Sequence, residues 1–449
     1  MDATIGSRAP GPRALPVLGG MLQLRGDPLA KILELRARHG GVVYLGPAGP
    51  REVFLLTEPI AIRRALLDNH TNYKKGLAAQ RLRAVLGEGS LLLEGTAWRK
   101  RRRLIQPAFH KQKIATLASA FVEHTDAMLE RWRPAMDRGA ALDVRDEMLR
   151  LTMQLTLRNM FGSGAEELRS LVDAWQFLYD ELSRGRQRIV RLPAWIPSRR
   201  RDQTSAAMAT VQRVLGGLIR ERTEHDDGSV LAMLLRARDD EGGGGLTDQE
   251  LRDEVMTIFV GGYETSSNAL AFATALLAAH PEVGARHHEE IDRVLQQRAP
   301  QVSDLANLPY NRAILEEGMR LYPPSWMITR EALADDVIGG FRIPRGAQLL
   351  ISSYGVHHAP ELWPSPSQFR PERFLGDPAT RDRFAYLPFG GGPRVCLGEQ
   401  YALTEMQLIL ARLGQKLSLR LAPGCRIAAR AHVGLRPRDP LRIIATTRS

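Results

Sequence analysis

Several things are scarce in this sequence, and each scarcity excludes a class of protein. There are two cysteines, Cys396 and Cys425, in 449 residues. A disulfide framework is therefore excluded, and so is a Cys-Cys zinc module, because C-x-x-C does not occur. No apolar run reaches the roughly 18 to 20 residues that a bilayer-spanning helix needs. The stretch Met1 to Pro16 is polar, small and proline-rich, and reads as neither signal peptide nor anchor. No G-x-G-x-x-G follows a strand-like run and Gly-Lys is absent, so neither a dinucleotide fingerprint nor a P-loop is present. Lysine supplies only seven of the 62 basic residues; the rest are arginine, and the net charge is +12. Nucleic-acid binding is one reading of that balance. The arginines are interleaved with acids, however, which favours a solvated surface, with local clusters at Arg99–Arg103 and Arg199–Arg201. With 44% hydrophobic and 25% charged residues, the composition is that of a globular chain. The expectation is a soluble, cytoplasmic protein with no membrane span and no nucleic-acid partner.

What is present is mostly helical periodicity. A proline-rich arm leads into an amphipathic run from Pro28 to His39, and Val42–Leu45 with Glu52–Leu56 reads as a hairpin. Helical period then dominates Ala61–Asn69, Trp98–Phe109, Lys113–Met136, Arg145–Phe161, Glu166–Arg184 and Thr204–Glu224. Thr247-Asp248-Gln249-Glu250 matches a capping box. No proline follows it before Pro281, so about 33 residues form a rod of roughly 50 Å. The rod is apolar nearly all round from Val255 to Ala279, and so is expected to be buried. Helices over Pro281–Gln297 and Tyr310–Leu321 follow. Strand-like runs come next at Val337–Ile343, Gln348–Ser353 and Leu441–Thr446, and a last helix covers Leu397–Leu413. Without repeat, linker or composition break, the expectation is one domain over residues 1–449, mainly α with a minor β region.

Two constellations carry chemistry. Phe389-Gly390-Gly391-Gly392-Pro393-Arg394-Val395-Cys396-Leu397-Gly398 delivers a cysteine to a helix start. Backbone N–H groups there favour an anion and a thiolate. Glycines allow close approach of a flat cofactor, and Arg394 is suited to a carboxylate. Gly261-Gly262-Tyr263-Glu264-Thr265-Ser266 lies at the centre of the long helix. Two glycines cost about 1 kcal/mol each there, and a charge beside an apolar stripe costs more unless paired. Both features suggest a helix distorted to admit something. Glu317 and Arg320 share a helix face at i, i+3, as Trp98 and Arg102 do at i, i+4.

The cysteine loop matches F-x-x-G-x-R-x-C-x-G, and the chain resembles the cytochrome P-450 family of haem-thiolate monooxygenases over nearly its whole length. The resemblance implies a P-450-type fold with the long helix lying over haem b, and Cys396 as the axial thiolate ligand of the iron. Phe389, Arg394 and Gly398 belong to the same cofactor-binding loop. The notched helix looks like the family's oxygen-binding groove. That implies that Thr265 hydrogen-bonds dioxygen, Glu264 helps relay protons and Gly262 shapes the groove. Glu317-x-x-Arg320 resembles E-x-x-R, which with Arg373 of Pro371-Glu372-Arg373-Phe374 braces the haem loop. Trp98 and Arg102 resemble W-x-x-x-R and imply a propionate contact, with Arg102 turned inward and its basic neighbours outward. Arg330, after Tyr322-Pro323-Pro324, is placed by the same analogy on a propionate. The outward arginines would steer an acidic ferredoxin. Ferredoxin and ferredoxin reductase are expected as separate chains, because there is no room for a fused reductase. An intact Glu264-Thr265 pair favours dioxygen over peroxide.

A lipophilic substrate is expected from apolar candidates at Leu91–Leu93, Met256, Phe259, Val260, Trp326–Ile328 and Val433–Leu435. The resemblance favours a terpenoid, sesquiterpene-like, over a fatty acid, for which Arg81 or Arg83 would supply a carboxylate anchor. A non-catalytic haem carrier or sensor is the rival from another class, and the proton-relay pair speaks against it.

Overall fold

Side-chain chemistry fixes where the helices of this chain begin. In the computed structural model, which describes residues 6–13, 19–80, 82–162, 166–185, 199–222, 229–236 and 244–448, the Asp27 carboxylate accepts from the Leu29 and Ala30 N–H groups and Pro28 occupies the first turn. That starts α1 (Pro28–His39), which Gly40 stops at φ 88°. The longer helices that follow are α2 (Gly95–Ile105), α3 (Lys111–Asp137), α4 (Val144–Phe161), α5 (Glu166–Gly185), α6 (Arg199–Arg222), α7 (Asp248–Ala279), α8 (Pro281–Leu295), α9 (Pro309–Leu321) and α10 (Glu399–Lys416). The capping box at Thr247 is formed. The Thr247 N–H donates to Glu250 Oε2 at 2.9 Å and the Glu250 N–H to Thr247 Oγ1 at 3.3 Å.

The strands are β1 (Val42–Ala48), β2 (Arg51–Leu56), β3 (Tyr73–Lys75), β4 (Leu142–Asp143), β5 (Ile328–Ala332), β6 (Asp336–Ile338), β7 (Phe341–Ile343), β8 (Gln348–Ile351), β9 (Leu417–Leu421), β10 (Ala429–Ala431), β11 (Leu435–Pro437) and β12 (Arg442–Thr447). The chain is mainly α with a minor β part. It forms two compact units by contact: Met1–Gly76, Lys111–Thr152 and Glu264–Ser449 in one, Leu77–His110 and Met153–Tyr263 in the other.

Among the described residues, the first unit holds every strand. Its largest sheet runs β1-β2-β8-β5-β3, antiparallel except for β2 beside β8. Period-2 alternation builds a core on each face. Val42, Tyr44, Phe54 and Leu56 enter one cluster, whereas Val43, Leu45, Val53 and Leu55 enter the other with Ile32 of α1. The run 337–343, expected as one strand, is a hairpin. Gly339 and Gly340 both have positive φ, which is the two-residue turn that matches strand twist. The expected strand end at Ser353 instead turns into a short helix, Ser353–His357, capped by the Ser352 hydroxyl on the Gly355 N–H. In the same unit α3 packs on α10, with Phe121 edge-on to Tyr401 and Asp126 paired with Arg412 at 2.6 Å.

The second unit is helical among the described residues. Its α2 is tied to the N-terminal part of α7 by Arg101. That side chain is buried and reaches Glu250 at 2.6 Å and Glu254 at 3.4 Å. The sequence reading turned Arg102 inward and the other arginines outward; the structure buries Arg101 and leaves Arg102 half-buried. The reason is the buried Glu254, which demands a cation. It also accepts from the Ser90 N–H and hydroxyl, and burial still pushes its carboxyl above the usual range.

Candidate active site

Glycine geometry shapes the cysteine loop. Gly390 and Gly392 have φ of 75° and 70°, a region that a side chain makes strained. A Cβ on Gly392 would also overlap the Leu66 carbonyl oxygen, and one on Gly391 would lie 3.0 Å from the Phe384 ring. The loop is tied to itself. The Cys396 N–H donates to the Phe389 carbonyl at 2.9 Å, the Val395 N–H to Gly392 at 3.1 Å and the Gly390 N–H to Leu387 at 3.2 Å. Cys396 ends up exposed, just ahead of α10, whose N-cap is Gly398. Arg394 sits in the 3-10 turn Gly392–Arg394, half-buried, as is Phe389. Arg330 lies buried on β5, its guanidinium donating to the Thr329 carbonyl at 3.0 Å. A Cβ on Gly390 would touch Ile328 of the same strand at 3.6 Å, so loop and strand are neighbours.

Behind the loop lies a buried charge network. Glu317, fully buried, accepts from Arg320 at 2.6 and 2.8 Å, from Arg373 at 3.2 Å and from the Arg370 N–H at 2.9 Å. Arg320 spends its remaining donors on the carbonyls of His357, Pro366 and Gln368. The E-x-x-R and P-E-R-F residues thus meet, and their role is to fix backbone.

The long helix α7 is closed on all sides from Ser266 to Ala278, where every residue is buried. One turn earlier it opens. Gly261 and Thr265, at i, i+4, are exposed, with Gly262 partly so. A Cβ on Gly262 would sit in ordinary contact with Thr156 at 3.5 Å. Glu264 points elsewhere. It is buried and paired with the Arg436 guanidinium of β11, while its Oε2 has no hydrogen-bond partner among the described residues. Arg436 was missed by sequence reasoning, since nothing in Leu435-Arg436-Pro437 marks a partner for a residue far upstream. Trp98 and Arg102 lie half-buried on α2, in the second unit.

A flat tetrapyrrole with two carboxylates needs a soft ligand, close backbone approach and cations. The donor set fits. The loop presents an exposed thiol beside a helix start, a Cβ on Gly398 would meet nothing within 4 Å, and Arg394 and Arg330 are carried by adjoining segments. Among the described residues no cluster of three His, Cys, Asp or Glu could hold a metal by itself. No helix among the described residues is long and apolar enough to cross a membrane.

Comparison with known proteins agrees with this geometry. The family model described as cytochrome P450 matches residues 9–441. Cyclooctat-9-en-7-ol 5-monooxygenase of Streptomyces melanosporofaciens is 38% identical over 92% of this chain and 90% of that protein. Cyclooctatin synthase of the same organism is 34% identical over 97% and 95%. Pentalenene oxygenase of Streptomyces avermitilis is 31% identical over 92% and 91%. The crystal structure of the cytochrome P450DA heme domain superposes with a TM-score of 0.89 at 27% identity, covering 99% of each chain. The chain belongs to the cytochrome P450 family and is a haem-thiolate monooxygenase.

Proposed function

We propose that this enzyme inserts one oxygen atom into a C–H or C=C bond of a terpenoid, with Cys396 as the axial ligand of haem b. The observation that carries the reading is the thiol loop, held open by two positive-φ glycines with Cys396 exposed at a helix start. When bound, haem supplies dioxygen activation, and the thiolate's electron donation favours O–O cleavage. Arg394 and Arg330 hold its carboxylates, and the W-x-x-x-R motif alone gives Trp98 and Arg102 the same task, while Phe389 and Gly398 shape the loop around it. Thr265 donates its hydroxyl to dioxygen from the exposed face of α7, and Gly261 and Gly262 leave room beside it. Glu264, held by Arg436 away from that face, is the inner member of the proton relay to it, with Oε2 left unpartnered among the described residues. Thr265→Ala should therefore raise oxygen consumed per product formed; unchanged coupling would remove the role given to that hydroxyl.

The terpenoid reading has two supports. Met256, Phe259 and Leu92 are buried apolar candidates, whereas Trp326 joins the sheet core with Val43 and Leu55, its indole N–H taken by the His432 carbonyl. Relatives named for cyclooctat-9-en-7-ol and pentalenene act on an unsaturated alcohol and an alkene. A fatty acid would need a cation. Arg83, one of the two expected anchors, is engaged by Glu88 at 3.2 Å and the Leu92 carbonyl at 3.3 Å; the other, Arg81, lies outside the described residues. Electrons come from a separate ferredoxin and its reductase, drawn to the exposed Arg99, Lys100 and Arg103 of α2. Reduction by an acidic ferredoxin should then slow steeply with added salt. Titrating the ferric protein with sesquiterpenes, diterpenes and fatty acids tests the substrate class. A low-to-high-spin shift with a terpene class is expected. A shift with fatty acids alone would overturn it.

A further inference from the structure

A histidine that none of the motifs includes links the Glu317–Arg320 network to the thiol loop. His357 ends the short helix Ser353–His357 and is fully buried. Its Nε2 lies 2.8 Å from the Leu387 backbone nitrogen, and its Nδ1 lies 3.2 Å from the Arg320 carbonyl oxygen. An amide N–H only donates, so Nε2 is the acceptor. The ring proton then sits on Nδ1 and donates to Arg320. One neutral tautomer therefore satisfies both ends. From Leu387 the bonding continues into the loop: its carbonyl accepts the Gly390 N–H at 3.2 Å, and the Phe389 carbonyl accepts the Cys396 N–H at 2.9 Å. On the other side, the Arg320 guanidinium donates back to the His357 carbonyl at 2.9 Å while held by Glu317. The imidazole also packs on the Tyr386 ring at 5.3 Å, and the Tyr386 hydroxyl donates to the Glu316 carbonyl at 2.9 Å. The ring's two hydrogen bonds and its aromatic contact thus lie between α9 and the base of the loop.

We infer that His357 is a positioning residue, whose Nε2 holds the Leu387 amide and so sets where the Cys396 segment lies. The inference rests on Cys396 being the haem ligand. It separates the two ring nitrogens, and side-chain replacements can do the same. A glutamine places an amide oxygen near the Nε2 position, an asparagine reaches only as far as Nδ1, and a leucine keeps volume without either polar atom.

The test uses the haem-loaded enzyme with His357→Gln, His357→Asn and His357→Leu. Three readouts apply: the band position of the ferrous carbonyl complex, the rate at which its thiolate form is lost, and hydrogen exchange at the Leu387 amide. His357→Gln should keep the thiolate-type band. His357→Asn and His357→Leu leave a buried amide without its acceptor and should lose the band on the order of tenfold to a hundredfold faster. In those two variants exchange at Leu387 should quicken while helix content stays. A merely structural role would lower the melting temperature of all three variants alike without altering the band. Equal band stability in His357→Asn and wild type would overturn the inference. Should the asparagine and leucine variants fail to fold, the wild type decides: Leu387 must rank among the slowly exchanging amides, and rapid exchange there overturns the inference. A wild type with no thiolate band would instead remove the assignment of Cys396, and that failure is visible before any variant is made.

Discussion

Replacing Glu405 by glutamine should stabilise the protein at neutral pH and leave it nearly unchanged in acid. Glu405 lies in α10 and is fully buried. Neither carboxyl oxygen has a hydrogen-bond partner among the described residues. Burial pushes the carboxyl up from its ordinary 4.5 to about 8, only partly opposed by the nearby Ser266 hydroxyl, which falls short of a well-formed hydrogen bond. At pH 7 the folded protein therefore holds a proton that the unfolded chain has released. Stability from this group is complete below about pH 4.5 and falls as pH rises toward 8. Each pH unit in that window removes about 1.4 kcal/mol, so about 3 kcal/mol is gone by pH 7. Glutamine is neutral throughout and avoids that loss. Denaturant unfolding of wild type and Glu405→Gln at steps from pH 5 to 8 reads the difference, and contributions from the cofactor cancel between the two. The gap should widen steadily with pH. Infrared spectra at pH 7 should show a protonated carboxyl stretch that the variant lacks. A flat gap, or a glutamine variant less stable at pH 7, would mean that the carboxyl is ionised and partnered, and the argument from burial would fail.

Four further substitutions have firm expectations. Arg101→Met strands the buried Glu254 with Ser90 alone and should cost about 3 to 5 kcal/mol, whereas Glu254→Gln should cost less; a loss under about 1 kcal/mol in Arg101→Met, by denaturant unfolding, would contradict the pairing. Gly392→Ala combines positive φ with overlap on the Leu66 carbonyl and should destabilise by about 3 kcal/mol or more. Gly398→Ala meets nothing within 4 Å and has no positive φ, so the change should cost only the roughly 1 kcal/mol or less of a poorer N-cap; equal effects of the two glycine variants would refute the account of the loop.

Much of this was legible because local chemistry marks it. The capping box at Thr247, the absence of proline up to Pro281 and the apolar sweep to Ala279 specify α7 almost to the residue. The cysteine loop is a contiguous motif, and contiguity survives in sequence. Partnerships across the chain leave no such mark. Arg101 and Arg102 are adjacent letters, and only the position of Glu254 decides which is buried. Arg436, His357 and Glu405 carry no local signature, because their meaning comes from elements far away in sequence. The short strands β5 and β9 were read through for a related reason: five residues give too little alternation to separate a strand from a loop.

The central claim is that Cys396 binds haem iron as a thiolate. The most direct test is the visible spectrum of the dithionite-reduced, carbon monoxide-bound protein for wild type, Cys396→Ser and Cys425→Ser. Cys425 makes local contacts near Pro440 and Arg442, so it serves as the control. Wild type and Cys425→Ser should show the red-shifted thiolate-type band, and Cys396→Ser should lose it. A band that survives in Cys396→Ser, or that is missing from the wild type, would contradict the account.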